Sequence, residues 1–268
     1  MSGKELASAR SYWKRGAVRA GRRSRYVEVR EASLETVRAD AVECGLVDEV
    51  VAVLGTGKEA DVYVGLWKHI PLALKVYRIH RTPNKKNSMI GYGPDRMTVI
   101  AAREFTILNK AYKAGVPVPT PARRVDNMFT MRFLGDGQRA ASLREINLES
   151  PQETAQQALN VVEKMLSSCI VHGDLSEYNI LVADGKLFVI DFPQALEFSS
   201  RIERHRLVRE AERYLQRDLM NLEGFFSKLQ VRIDANLEFH RLQREYPDLL
   251  PWTKVTSAPN TEDNLELP

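Results

Sequence analysis

The segment Ile170–Ala195 reads IVHGDLSEYNILVADGKLFVIDFPQA. It places His172-Gly173-Asp174 first, Asn179 five residues after that aspartate, and Asp191 at the end of an apolar run. The apolar stretches are divided at Asp184-Gly185, a residue pair that favours a tight hairpin turn. Two short strands around that turn would hold the polar side chains rigidly between buried segments. A carboxylate and an amide oxygen are hard ligands of the kind that suit Mg2+, which keeps waters and substrate phosphates in its shell. Asp-x4-Asn is also the spacing of the protein-kinase catalytic loop, and an Asp at a strand end after Val-Ile stands where kinases carry a metal-binding aspartate. Asp174 is expected to orient or deprotonate a hydroxyl or a water, with Asn179 and Asp191 as metal ligands. His172 is expected to pack and hydrogen-bond so as to hold the loop. Taken singly, each of these residues also occurs as a cap or a turn former.

Upstream, the periodicity predicts three strands, VVAVLG (50–55), DVYVGL (61–66) and IPLALKVY (70–77), all rich in β-branched and aromatic residues. The first two are joined by Gly55-Thr56-Gly57-Lys58-Glu59-Ala60. Glycines there let backbone N–H groups approach a phosphate, although a plain hairpin would carry the same residues. The loop is not a Walker A motif, since Gly57-Lys58 is followed by Glu59 and lacks the required glycine upstream. Lys75 lies inside the third strand, where it either faces solvent or meets a partner. The next helix, expected to begin after Asp95 and stop before Gly115, supplies a candidate. Glu104 falls on the same stripe as Met97, Ile100, Ala101, Ile107, Leu108 and Ala111. A glutamate on an apolar face is costly to bury unpaired, so it calls for a cation, and Lys75 fits. Arg103 points elsewhere on the helix.

Further elements follow from composition. Leu34, Val37, Ala41 and Cys44 form a helical stripe closed by Gly45. Residues 80–95 are polar and Gly/Pro-punctuated, as a loop would be; they include Ser88, a serine open to phosphorylation that nothing singles out. NMFTMRFL (127–134) reads as a strand, and VPVPTP (116–121) cannot be helical. Ser150-Pro-Gln-Glu153 reads as a capping box opening a helix that carries Ala155, Leu159, Val162, Met165, Leu166 and Cys169. Ser199–Phe226 is expected to be helical and broken at least once. The C-terminal residues 251–268 have the composition of a disordered tail. A β-rich segment followed by a helical one predicts two lobes: a basic arm with a short helix over 1–48, an N-lobe over 49–134, a C-lobe over 135–250, then the tail.

The bulk numbers narrow the class. At 268 residues and 44% hydrophobic content the chain can bury a sizeable core. No apolar run approaches the ~18–20 residues of a membrane-spanning helix, and the N-terminus has no apolar core of a signal peptide. Cys44 and Cys169 fit no metal spacing, so two reduced thiols and a cytoplasmic location are expected. Residues 1–30 hold nine basic side chains against Glu5 and Glu28, a local charge of +7 in a chain of net +4, so the other residues sum to −3. Such an arm suits a phosphate backbone or is simply a solvated tail.

Taken together, these residues resemble the RIO family of atypical serine/threonine protein kinases. GTGKEADVY (55–63) is similar to that family's phosphate loop, HGDLSEYN (172–179) to its catalytic loop, and IDFPQ (190–194) to its metal loop. YLQRDLMNLEGFF (214–226) looks like its closing Arg-Asp helix, and AGVPVPTP (114–121) matches in position. LSEYN leans toward the first branch of the family and IDFPQ toward the second. The resemblance covers roughly residues 45–230 and implies an α+β, bilobal protein-kinase-like fold. In it, a β-rich N-lobe bears one Glu-carrying helix and the C-lobe is truncated and mostly helical.

The implied cofactors are ATP and Mg2+, with Mn2+ as a substitute. The implied ATP site is Gly55, Thr56, Gly57, Lys58, Glu59, Val62, Lys75, Glu104, Met131 and Phe133. Within it Lys75 grips the α/β-phosphates, Met131 acts as gatekeeper, and a backbone hinge runs from about Arg132 to Leu134. Asp174 and Asp191 would be catalytic, the latter as acceptor of the phosphoryl group itself. The resemblance also implies a role in maturation of the small ribosomal subunit, with ribosomal RNA as partner of the basic arm.

Roughly 75 residues follow Asp191, and they contain no Ala-Pro-Glu motif. Pro193 stands where ordinary kinases have Gly, so peptide substrates are poorly served. Two other readings share the motifs: a small-molecule phosphotransferase of the aminoglycoside or choline kinase type, and a nucleotide-binding scaffold without turnover. No membrane association is expected, and the oligomeric state is unreadable.

Overall fold

The computed structural model describes residues 34–57, 59–77, 96–199 and 204–250. The basic arm, Lys58, Ser88, Asp95 and the C-terminal tail lie outside them.

Five strands form one antiparallel sheet: β1 (Glu49–Thr56), β2 (Ala60–Trp67), β3 (Ile70–Tyr77), β4 (Pro121–Val125) and β5 (Met128–Arg132), in the order β1-β2-β3-β5-β4. Two helices flank the sheet. The first, α1 (Leu34–Glu43), buries Val37 and Ala41 in a cluster with Val50, Tyr63, Leu74, Val76 and Met128. The other face carries Ala60, Val62, Ala73, Lys75, Phe129 and Met131, because directly paired residues of antiparallel strands project to the same side. Helix α2 (Arg96–Lys113) packs against that side. Its buried residues Met97, Ala101, Glu104, Ile107, Leu108 and Ala111 are the stripe read from the sequence.

After β5 a small hairpin, β6 (Gly135–Asp136) and β7 (Gln138–Arg139), leads toward helix α3 (Pro151–Ser167). Glycine is required at Gly135, where φ is +139° and a Cβ would sit 1.9 Å from the Gln138 carbonyl oxygen. Next come β8 (Ile170–Val171), β9 (Ile180–Ala183), β10 (Lys186–Val189) and β11 (Leu196–Glu197), then α4 (Arg204–Ser227) and α5 (Ala235–Glu245). One large apolar cluster joins α2, α3, α4, α5 and the strands between, with Leu166, Ile170, Leu175, Leu215 and Phe226 fully buried.

Five local features differ from expectation. The capping box does not form: Ser150 makes no side-chain cap, and its carbonyl instead accepts from both the N–H and the hydroxyl of Thr154. Proline at the first helical position already sets the entry, which leaves the cap optional. Helix α3 also stops at Ser167, because Cys169 takes φ +57° to turn into β8. Within the stretch expected to break, the described residues run as one 24-residue helix, α4, stabilised by its buried face rather than by propensity. Strand β4 and helix α5 were not anticipated. A proline at the start and the adjacent Arg123 and Arg124 obscured β4, which sits at the sheet edge where proline is tolerated. For α5 the available signal was Asp234, whose carboxylate accepts from the Leu237 N–H as an N-cap. Cys44 and Cys169 are free thiols.

Candidate active site

The opening segment folds as a hairpin that carries its polar residues at the open end. Asp184 and Gly185 both have positive φ, +51° and +69°, as a two-residue hairpin turn demands. Ile180 then pairs with Val189, and the Ile190 N–H donates to the Asn179 carbonyl at 3.0 Å. Asn179 is thereby paired with Ile190, and Asp191, next along the chain, comes to the same end of the hairpin. Asp191 itself is left-handed, with φ +70°. Its Oδ1 lies 2.5 Å from Lys75 Nζ, and its side chain remains open to the cleft.

Lys75 is 5% exposed and its Nζ also donates to Glu104 Oε1 at 2.7 Å. The solvent-facing reading of this lysine is therefore excluded. Burial alone would pull its pKa down. The carboxylates of Glu104 and Asp191 outweigh that and hold it above the ordinary lysine value. Glu104 is more heavily used than the sequence suggested. Besides Lys75 it accepts from the Tyr77 hydroxyl and, at 2.8 Å, from the Phe192 backbone N–H. Burial, then the Glu104 charge, pushes the Tyr77 phenol up, so it stays a donor. Arg103 and Lys110 extend the tie: Arg103 donates to the Ala195 carbonyl at 3.0 Å, and Lys110 pairs with Glu197 at 2.6 Å. One helix thus grips the whole segment that follows the hairpin.

The catalytic-loop residues are fixed from below. His172 is fully buried, lies 3.0 Å from the Ile190 carbonyl through Nε2, and packs on the Phe192 ring at 4.8 Å. Burial lowers its pKa to about 4, so it is neutral near pH 7 and holds the loop rather than moving protons. Asp174 stands partly exposed, and burial raises its carboxyl. Its backbone carbonyl accepts from Asn179 Nδ2 at 2.9 Å, which leaves Asn179 Oδ1 as the atom open to a cation. Among the described residues no group of three or more His, Cys, Asp or Glu is arranged to hold a metal ion. Asn179 Oδ1 and the Asp191 carboxylate therefore suit a cation that completes its shell with water and phosphate, as Mg2+ does.

Sequence reasoning included Asp218 in the closing Arg-Asp helix but gave it no role at the site. It is 1% exposed on α4, and its two oxygens accept from the N–H groups of Gly173 and Leu175 at 2.8 and 2.9 Å, bracketing Asp174. Burial pushes its carboxyl up to about 7. Asn221 adds a bond from Nδ2 to the Leu175 carbonyl, and the Tyr214 ring covers Gly173 so closely that a Cβ there would approach it to 2.7 Å. The available signal was the spacing of Tyr214, Asp218 and Asn221 on one face of a helix.

The remaining expected nucleotide contacts lie around the same cleft. Gly57 closes the β1–β2 hairpin through its N–H to the Ala60 carbonyl, and a Cβ at 57 would lie 2.8 Å from that oxygen. Gly55 has open space where a Cβ would be, so packing within the chain does not require glycine there. Thr56 and Glu59 are exposed, and Val62 is half-buried on the Lys75 face. Met131 pairs with Ala73 on that face, and Phe133 is buried just beyond β5. The hinge is narrower than expected: the Arg132 N–H already donates to the Thr120 carbonyl at 2.8 Å.

Comparison with known proteins agrees with this geometry. The structure superimposes on the crystal structure of a Rio2 kinase ADP/Mg2+-phosphoaspartate complex from Chaetomium thermophilum, with TM-score 0.63 and 20% identity over 91% of this chain and 79% of that one. The fold is therefore the α+β protein-kinase-like fold. A family model described as the RIO domain matches residues 61–239. The chain is 32% identical over 208 residues to the RIO-type serine/threonine-protein kinase Rio1 of Haloferax volcanii, covering 73% of this chain and 69% of that protein. It is 30% identical over 219 residues to the serine/threonine-protein kinase RIO1 of Chaetomium thermophilum, where the match spans only 41% of the relative's length. The chain belongs to the RIO family of serine/threonine kinases. No helix among the described residues is long and apolar enough to cross a membrane.

Proposed function

We propose that the chain is a Mg2+-ATP-dependent phosphotransferase and ATPase of the RIO type. The observation that carries this reading is Lys75 Nζ, buried between Glu104 and Asp191 at 2.7 and 2.5 Å. A buried ammonium held at the cleft by two carboxylates is preorganised to meet phosphate oxygens. Gly55, Thr56, Gly57, Lys58 and Glu59 would cover the phosphates, while Val62, Met131 and Phe133 would line the base, with the hinge N–H coming from Phe133 or Leu134. Bound Mg2+, held by Asn179 and Asp191, would neutralise charge on the phosphates. Mn2+ offers the same charge and would substitute.

Asp191 attacks the γ-phosphorus through a carboxylate oxygen. The bond to the bridging oxygen breaks and ADP leaves, giving an aspartyl phosphate. Asp174 orients a water, or a serine or threonine hydroxyl, for the step that releases it. A phosphoaspartate is named in the related Rio2 structure, which supports this route.

The direct test is ATP turnover by the wild type and Asp191→Ala, with acid quenching to trap phosphoenzyme. Turnover with a hydroxylamine-labile phosphoenzyme absent from the variant is expected. A phosphoenzyme that persists in the variant would reject Asp191 as acceptor. Nucleotide binding without turnover would return the chain to the scaffold reading.

The proposed setting is maturation of the small ribosomal subunit in the cytoplasm, with ribosomal RNA met by residues 1–30. Family membership and the +7 charge of that arm support it. Deleting residues 1–30 should weaken RNA binding and flatten its dependence on salt. An unchanged salt slope would show that the arm does not touch phosphate.

A further inference from the structure

Helix α4 meets the catalytic loop with a row of polar side chains: Tyr214, Arg217, Asp218 and Asn221, spaced i, i+3, i+4 and i+7. Three of them touch the loop directly, through Gly173 or Leu175. Arg217 does not. Its guanidinium lies 5.0 Å from the centroid of the Tyr214 ring, and Nη2 donates to Gln194 Oε1 at 3.3 Å. Gln194 in turn reaches Asp174, its Nε2 lying 3.4 Å from Oδ2. No hydrogen bond reaches Asp174 Oδ1 among the described residues. The Gln194 carbonyl oxygen packs against Gly173, standing 3.1 Å from where a Cβ there would be.

We propose that Gln194 and Arg217 are positioning residues for Asp174, acting in series. Arg217, braced by the Tyr214 ring, orients the Gln194 amide, and the amide holds Oδ2 so that Oδ1 is presented to the incoming water or hydroxyl. The assignment rests on the phosphotransfer reading of Asp174. The chemistry favours this order of groups. A guanidinium bonded directly to Asp174 would form an ion pair and make the carboxylate a poorer proton acceptor. The neutral amide fixes the rotamer, while the guanidinium, held off the carboxylate, lowers its pKa by less than burial raises it. A positioned acceptor accounts for a large part of the rate of a reaction whose partners must be aligned.

Both side chains are exposed, so their loss leaves the core intact. The test measures steady-state ATP turnover, ATP affinity and melting temperature for Gln194→Ala, Arg217→Met and the double variant, with Asp174→Asn as control. Gln194→Ala should lower kcat about 10-fold and Arg217→Met about 3- to 10-fold, with KM for ATP and Tm unchanged, as expected when only orientation is lost. Because the two act in series, the double variant should match Gln194→Ala alone. Arg217→Lys, which lacks the planar fork, should recover less than half of the loss.

Single variants within twofold of wild type, or a double variant equal to the product of the singles, overturn the relay. Full recovery in Arg217→Lys also overturns it, since charge alone would then suffice. If Asp174→Asn retains turnover, the reading of Asp174 fails together with the relay. If Asp174→Asn abolishes turnover while the relay variants are neutral, only the relay fails.

Discussion

Two buried carboxylates organise this site in opposite ways. Glu104 on α2 is 2% exposed and Asp218 on α4 is 1% exposed. Glu104 has a cation, a hydroxyl and one backbone N–H, so its charge is compensated where it sits. Among the described residues, Asp218 has only two hydrogen-bond donors, the backbone N–H groups of Gly173 and Leu175. Its carboxyl therefore rises to about 7, whereas the Glu104 cluster raises the lysine that faces it. The difference shows what each is for. A paired carboxylate holds a charged group at the cleft, and an N–H-bound one holds the shape of a loop. Burial costs both, and only the first recovers the cost as Coulomb energy.

The largest effect should come from breaking the paired one. Glu104→Ala leaves Lys75 with Asp191 alone and strands the Tyr77 hydroxyl and the Phe192 N–H. Removing one partner of a buried ion pair typically costs about 3–5 kcal/mol, and ATP turnover should fall to background. Urea unfolding together with turnover measures both. A loss under about 1 kcal/mol would mean that Asp191 suffices as the partner of Lys75.

Asp218→Asn should cost less, about 1–3 kcal/mol, because one backbone N–H then meets an amide donor instead of an acceptor. Turnover should drop with ATP affinity kept, since the loop carrying Asp174 is loosened while the Lys75 side of the cleft is untouched. An equal loss of ATP affinity would show that the two carboxylates share one role.

The smallest effect is the pH dependence of that second site, and its sign is fixed. A carboxyl whose native pKa lies above its unfolded value keeps its proton longer in the native state. Below about pH 4 both states are protonated and nothing is lost. Between about 4 and 7 the unfolded chain ionises first, so stability from this group falls as pH rises. The stability difference between wild type and Asp218→Asn should therefore shrink from pH 4 to pH 7. A difference that grows would mean that the two N–H bonds outweigh burial.

The same pair of residues shows how far the sequence could be read. Glu104 was legible because a lone glutamate on an apolar helical stripe demands a cation, and Lys75 was near in the right kind of strand. The hairpin at Asp184-Gly185, which brings Asn179 and Asp191 to the same end of two paired strands, was legible from turn chemistry. Asp218 was not, since an aspartate on a charged helix looks solvated until the loop it holds is placed against it. Pattern failed in the same way at β4, at α5 and at the unbroken length of α4, where packing overrode local propensity.

By itself, then, the sequence determined most of the strand-and-helix order around the cleft and the lysine–glutamate pair. These follow from periodicities of two and 3.6 residues and from the cost of burying charge, which act over short stretches of chain. Only the tertiary structure decided which N–H groups Asp218 holds, that α2 grips the segment 192–197, and that Gln194 stands between Arg217 and Asp174. Those contacts join residues 20 to 92 positions apart, and side-chain direction across such separations is set by packing rather than by local pattern.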